Sequence, residues 1–371
     1  ATFNPELVNR IAVAASKEIR GSGVHWTFAP SVDVVHDARW GRTGETYGEC
    51  PFLTSTLVRQ AIRGYQNHEN PQEKVAACVK HLVGGGRSIG GVNHATAEIS
   101  ERMLRSFFLP PFQAAIEEGV MTVMPGHNDI NSIPAHSNKW LLTDIMRNEF
   151  GFKGFYVTDM SDIENLIKLH RTAANQKDAV RQGMLAGLDV HMYSSSTDAF
   201  ITPLLELVRE GKVPQNRIDE AVSKVLKVKF ELGLFENRYV KTGLPYGTPE
   251  AHRLALDAAR ESIILLKNTD NLLPLDRKKY KKILVTGPNA DNQSILGDWS
   301  FSQPDDNVTT IYEGIRECAG ADIEVVYSNS GRLKGKKSDV SVNTTDPELQ
   351  KLSLQEGGEL NDYAIADATE K

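Results

Sequence analysis

Five short apolar runs, at residues 24–29, 75–79, 120–124, 155–157 and 188–192, alternate with stretches of helical spacing. The helical stretches lie at 51–66, 100–118, 140–149 and 178–186. Continuous apolar strands alternating with amphipathic helices point to a parallel sheet covered on its faces. Five such units within residues 24–192 fit an α/β fold of the (β/α) barrel type better than a doubly wound sheet. The runs end in polar or charged residues: Asp33 after the first, Lys80 and His81 after the second, and His127 and Asn128 after the third. Asp159 follows the fourth and His191 closes the fifth. Barrel enzymes place their chemistry at the C-terminal ends of the strands. Polar residues also mark where any strand stops, so each position alone stays open while the set favours a barrel mouth.

The flanks complete the domain plan. Asn4 can cap a first helix with Pro5 at its first position, and Leu7, Val8, Ile11, Ala15 and Ile19 recur at helical spacing. A long helix is expected at 215–232, with Ile218, Val222, Val225 and Leu226 on one face. Residues 233–248 are rich in Gly, Pro and Tyr and read as linker. A first domain is placed at 1–238, a linker at 239–250 and a second α/β domain at 251–371. The second would open with a helix at 251–266 and a strand at 282–286, followed by a turn at Gly287 and Pro288. The polar stretch 328–355 reads as a surface excursion.

Composition narrows the partners. A net charge of -6 with no basic stripe argues against nucleic acid. No apolar run approaches the roughly 18 residues that span a membrane. Three cysteines cannot build a disulfide framework, and Cys78 sits in an apolar run that reads as core. Asparagine sequons begin at Asn292, Asn307 and Asn343. The chain starts at Ala1, so either a leader has been removed or the chain is a fragment. No H-E-x-x-H, no Cys/His cluster and no G-x-S-x-G occurs, so neither a metal, nor another cofactor, nor a serine nucleophile is expected.

Three segments carry candidate chemistry. In KGFYVTDM, residues 153–160, an apolar strand delivers Asp159 just past its end. A carboxylate there suits a nucleophile if a nearby cation keeps it ionised. Equally, Asp159 or Ser161 suits the N-cap of a helix beginning near Ile163. In VKHLVGGG, residues 79–86, Lys80 and His81 enter a glycine-rich loop. Lysine offers donors only, fitting hydroxyl oxygens, and glycines allow close backbone approach to a ligand. The spacing of a phosphate loop is absent. In FAPSVDVVHDARWGRTGETYGE, residues 28–49, Asp33, Asp37, Arg42 and Glu45 stand beside Trp40 and Tyr47. Aromatics among charges suit a carbohydrate; a network of Arg39, Arg42, Asp37 and Glu45 is the alternative.

Together these segments resemble glycoside hydrolase family 3. The likeness also covers ISERMLRSFFLPPFQAAIEEG, VMPGHNDINSIPAHSNKWLLTDIMRNEFGFKGFYVTDM, IDEAVSKVLKVKFELGLFE and ARESIILLKNTDNLLPL. It implies a (β/α) barrel, incomplete at its N-terminus, followed by the start of an α/β sandwich domain. It implies a retaining exo-β-glycosidase, of β-glucosidase type, acting on β-linked oligosaccharides or glycosides, with a β-xylosidase or a non-catalytic sugar-binding relic as alternatives. The nucleophile maps to Asp159, and Arg42, Lys80 and His81 map to sugar hydroxyls, with His127 also at the substrate. Two positions depart from the pattern: Met160 stands where tryptophan is common, and His127 where tyrosine is frequent, so its charge would titrate near neutral pH. An aspartate on a preceding strand and the acid/base glutamate are expected outside this chain. The K-H-F-P-G-H-G loop of the N-acetylglucosaminidase branch is absent. A periplasmic or secreted location fits better than a cytoplasmic one.

Overall fold

The computed structural model describes residues 2–192, 196–239, 246–297 and 299–328. It divides into two compact units, Ala1–Ile264 and Leu265–Lys371.

In the first unit the opening helix, Pro5–Gly21, begins as its sequence dictates: Asn4 Oδ1 accepts from the Leu7 amide at 3.0 Å, with proline in the first turn. It packs on the helix Pro51–Gln66. The two approach closely at Gly64, where a Cβ would stand 2.5 Å from that of Ala12.

Strand β1 (Cys78–Leu82) pairs in parallel with β2 (Thr122–Pro125). A short antiparallel hairpin follows, β3 (Asp129–Ile130) with β4 (Ile133–Pro134). Asn131 and Ser132 at its turn have φ of 52° and 70°, the conformation that a two-residue hairpin turn requires. Strand β5 (Phe155–Tyr156) lies parallel to β2 on the side away from β1.

Two expected strands are reduced to single bridges. The run at 24–29 follows β1 through Trp26–Ala76 and Ser31–Lys80. Its carbonyls still receive β1 amides, Cys78 N donating to Ala29 at 2.9 Å and Lys80 N to Pro30 at 3.2 Å. Pro30 has no amide hydrogen to return, so a full ladder does not form. The run at 188–192 touches the sheet only at Val157–Val190. The five segments thus lie parallel in chain order.

Expected helices also change character. The stretch 100–118 divides into Glu101–Met103, a π-helical Leu104–Phe108 and Pro110–Glu117. Pro110 and Pro111 remove two amide donors at the break. The stretch at 140–149 is π-helical throughout, Trp140–Glu149. A continuous core runs between helices and sheet, and includes Val79, Leu82, Val123, Phe112, Leu141, Tyr156 and Ile163. At the opposite end of the strands from Asp159, the buried Asp189 carboxylate accepts from Arg147 at 2.6 Å, Arg217 at 2.7 Å and the Tyr156 amide at 2.9 Å.

The second unit's described residues hold β6 (Lys282–Thr286) and β7 (Glu324–Ser328), parallel, with the helix Ile311–Ala319 between them in sequence. Thr310 and Glu313 form a reciprocal capping box at that helix.

The expected start of a second domain at residue 251 is not where the unit break falls. Helix Pro249–Ser262 belongs to the first unit and contacts the opening helix. Thr248 caps it, accepting from Ala251 at 3.2 Å, so the end of the expected linker is already helical structure. Ile263 turns extended, which ends the helix short of 266. The expected excursion at 328–355 lies, beyond Ser328, outside the described residues. Among the described residues no helix is long and apolar enough to cross a membrane.

Candidate active site

The C-terminal ends of β1, β2 and β5 bring one group of side chains together. Asp159 follows β5 by way of Val157, whose amide donates to Val123, and Thr158, whose amide donates to Val190. Its side chain is 16% exposed. Oδ1 accepts from the Met160 amide at 2.7 Å and Oδ2 faces His127 Nε2 at 3.1 Å. His81 Nε2 lies 3.7 Å from the same Oδ2.

The capping alternative for Asp159 fails on this geometry. The helix Asp162–Lys168 starts after Ser161, which makes no side-chain cap bond, and the Asp159 carboxylate accepts from none of the helix's own amides, only its backbone carbonyl doing so from Asp162 at 3.4 Å. Ser161 instead takes a left-handed φ of 66°, turning the chain sharply after the Asp159 segment.

His81, at the end of β1, is fixed by Asp33. The Asp33 Oδ2 accepts from both the His81 amide and Nδ1, each at 2.9 Å. A carboxylate only accepts, so Nδ1 carries the proton. His81 Nε2 and Asp33 Oδ1 are buried without a hydrogen-bond partner among the described residues. His81 Nε2 is therefore open to a ligand beside Asp159.

His127, at the end of β2, was expected among the substrate-binding residues. Both of its nitrogens are instead engaged inside the protein, Nδ1 with Asp162 Oδ2 at 2.8 Å and Nε2 with Asp159. Among the described residues its ring thus lies between the carboxylates of Asp159 and Asp162. Burial works against the charged ring, but the hydrogen bond and charge of Asp162, then the charge of Asp159, outweigh it and raise the pKa of His127. Burial likewise opposes ionisation of Asp162, yet His136 and His127 bring its pKa below the ordinary value.

Asp162 and His136 are contributors that sequence reasoning missed. His136 Nε2 accepts from the Asp159 amide at 3.1 Å, and Nδ1 lies 3.4 Å from Asp162. Full burial lowers the pKa of His136, in keeping with a neutral ring that accepts at Nε2. The Asp159–Asp162 spacing of one helical turn, with His127 and His136 following β2, was the available signal. His94 stacks on His127 with ring centroids 4.4 Å apart.

Arg42 forms an ion pair of the kind weighed as the alternative. Nε and Nη2 hold Glu45 at 2.7 and 3.0 Å, whereas Arg39 pairs separately with Asp37. Burial would lower its pKa; Glu45, then the charges of Asp33 and Asp159, hold it above the ordinary value. Lys80 is half-buried, and its ammonium makes no hydrogen bond or ion pair among the described residues. The Cys78 thiol is pushed up to about 12 by burial, with Lys80 and Asp159 acting on it in opposite directions.

Two expectations for neighbouring residues change. Trp40 is buried and its indole donates to Asn93 at 3.0 Å, so it is core and not a sugar platform. In the glycine loop the close approach is to the chain itself. Gly86 O receives the His36 and Asp37 amides at 2.9 and 2.8 Å, and a Cβ there would meet Val34 O at 2.4 Å. Met160 is 57% exposed at the site.

Ligand atoms of His127, Asp159 and Asp162 lie within 4.8 Å of one another. The imidazole turns one nitrogen to each carboxylate, hydrogen-bonding Asp162 and facing Asp159, so the three groups do not converge on one point. A cleft of about 840 Å³ lined by Arg10, Lys17, Glu18, Thr248 and Leu254 contains none of these residues.

Residues 1–228 match the family described as glycosyl hydrolase family 3 N terminal domain, and residues 263–370 its C-terminal domain. A beta-xylosidase of Formosa agariphila is 37% identical over 347 residues, 88% of this chain and 48% of its own length. A periplasmic beta-glucosidase of Salmonella typhimurium is 34% identical over 380 residues, 99% of this chain and 49% of its own. The chain thus spans about half the length of these curated relatives. A beta-glucosidase from Listeria innocua, solved in complex with glucose, superposes with a TM-score of 0.82 at 37% identity, covering 90% of this chain and 46% of that one.

Proposed function

Because the chain belongs to glycosyl hydrolase family 3, we propose that it is the catalytic part of a retaining exo-β-glycosidase with Asp159 as nucleophile. The observation that carries this reading is the Asp159 carboxylate beyond β5, 16% exposed and faced by His127 at 3.1 Å. In the first step a carboxylate oxygen of Asp159 bonds to the anomeric carbon as the glycosidic C–O bond breaks. A second carboxyl protonates the departing oxygen. Water, deprotonated by that same group, then hydrolyses the glycosyl ester with overall retention; in such enzymes the two carboxyls stand roughly 5 Å apart.

Lys80 and the remaining guanidinium nitrogen of Arg42 are the donors for hydroxyls of the sugar, and His81 Nε2, with the proton on Nδ1, is an acceptor for one. All three lack another partner for those atoms among the described residues. The five parallel segments in chain order are read as part of a (β/α) barrel wall at 1–238. Residues from 251 are read as the start of an α/β sandwich, its compact part beginning at Leu265. A periplasmic or secreted location is proposed alongside, supported by the periplasmic relative.

β-D-Glucosides are the first-choice substrates. The xylosidase reading is favoured by the Formosa agariphila relative, so glucoside and xyloside nitrophenyl substrates are to be assayed side by side. Preference for the xyloside would transfer the assignment to β-xylosidase. The nucleophile is tested with a glycoside whose leaving group needs no protonation. A covalent glycosyl adduct on Asp159, absent in Asp159→Ala, is the expected outcome. Sugar binding without any adduct would reduce the chain to a non-catalytic binding module.

A further inference from the structure

We propose that Asp162 is a positioning residue that keeps His127 doubly protonated against the Asp159 carboxylate, and thereby sets the alkaline limb of the pH–rate profile. The inference rests on the reading of Asp159 as nucleophile.

The geometry carries it. Carboxylate oxygens accept hydrogen bonds and cannot donate them. His127 has one such oxygen at each nitrogen, Asp162 at 2.8 Å and Asp159 at 3.1 Å. Nδ1 donates to Asp162, and a bare lone pair on Nε2 would face the Asp159 anion at 3.1 Å, so a proton there makes the ring a cation between two anions. Asp162 is suited to holding it: its side chain is 1% exposed, it opens a helix, and its second oxygen accepts from Asn165 Nδ2 at 2.8 Å.

The other groups around the ring leave this assignment standing. His136 accepts at Nε2 from the Asp159 amide and is neutral. His94, stacked on the ring face, has its pKa lowered by burial. His170 Nε2 meets the His127 carbonyl at 3.0 Å, a backbone contact. The His81 ring is 6.4 Å away and engaged by Asp33. Arg42 is the opposing cation, weaker in effect than Asp162 and Asp159 together.

The consequence is chemical. With the proton present, Asp159 keeps a cation beside Oδ2, which assists its departure when the ester is hydrolysed. When His127 loses a proton, one nitrogen lone pair must face a carboxylate, and the contact that orients Asp159 turns repulsive.

The experiment measures the rate of covalent glycosylation against pH in the full-length protein. Its substrate is an aryl glycoside whose leaving group needs no protonation, so the acid/base group drops out. The wild type is expected to lose rate above the ordinary histidine value of 6.5. Asp162→Asn, which keeps an acceptor but loses the charge, should move that limb down by about one pH unit. A folded Asp162→Asn with an unmoved limb would overturn the proposal. Should that variant not fold, His127→Tyr serves: tyrosine titrates near ~10, so the limb should move up by about two units or more. A limb that stays in place would count against the proposal equally. If no glycosylation occurs in the wild type, it is the nucleophile reading that has failed. Histidine NMR titration then tests the pair alone: His127 should titrate above 6.5 in the wild type and lower in Asp162→Asn. A wild-type value at or below 6.5 would refute the pairing.

Discussion

At the scale of single residues, the site is a set of linked protonation states. The raised pKa of His127 means that its interactions stabilise the fold fully below 6.5 and are lost as pH rises through its folded value. The lowered pKa of Asp162 adds stability above the ordinary carboxylate value of 3.8, lost as pH falls through the folded value. His136 runs the other way. Its buried ring refuses a proton that the unfolded chain takes up below 6.5, so stability falls as pH drops from there. Thermal midpoints between pH 5 and 6.5 should therefore fall less steeply in His136→Gln than in the wild type. The sequence made Asp159 visible through its strand and left its cap alternative open. Which partner each carboxylate oxygen takes depends on β1, β2 and β5 lying side by side. Such contacts, between residues some 30 to 80 positions apart, have no local signature.

At the scale of elements, two contacts hold the first unit's layers in place. Asp189 joins helix Trp140–Glu149 through Arg147, helix Gln215–Glu231 through Arg217, and the Tyr156 amide of β5. Removing its charge leaves two largely buried guanidinium groups under-paired. Asp189→Asn should cost about 3–5 kcal/mol, read as a lower urea midpoint at unchanged slope. Gly64 lets the opening helix approach Pro51–Gln66 until a Cβ would stand 2.7 Å from Asn9 O. Gly64→Ala should force the two helices apart, lowering stability by about 1–3 kcal/mol. Periodicity disclosed these helices because each buries a stripe. It did not disclose the π-helical turns at 104–108 and 140–149, since an extra residue per turn leaves the apolar pattern nearly unchanged.

At the scale of the molecule, the two compact units meet in the chain between Ile264 and Leu265. Chains of more than one unit depart from two-state unfolding. Calorimetry should accordingly resolve more than one transition, with Asp189→Asn lowering only that of the first unit. Sequence patterning by itself determined the alternation of parallel strands and covering helices, because each buried face must repeat at the period of its own element. It also determined that Asp159, His81 and His127 end strands. The family likeness gave them roles that spacing could not. Only the tertiary structure decided that His127 lies between Asp159 and Asp162, that Trp40 is core, and that the helix Pro249–Ser262 lies with the first unit. The physical reason is the same in each case. Burial and hydrogen-bond partners are properties of the space between elements, and a side chain's chemistry is set by what the fold places against it.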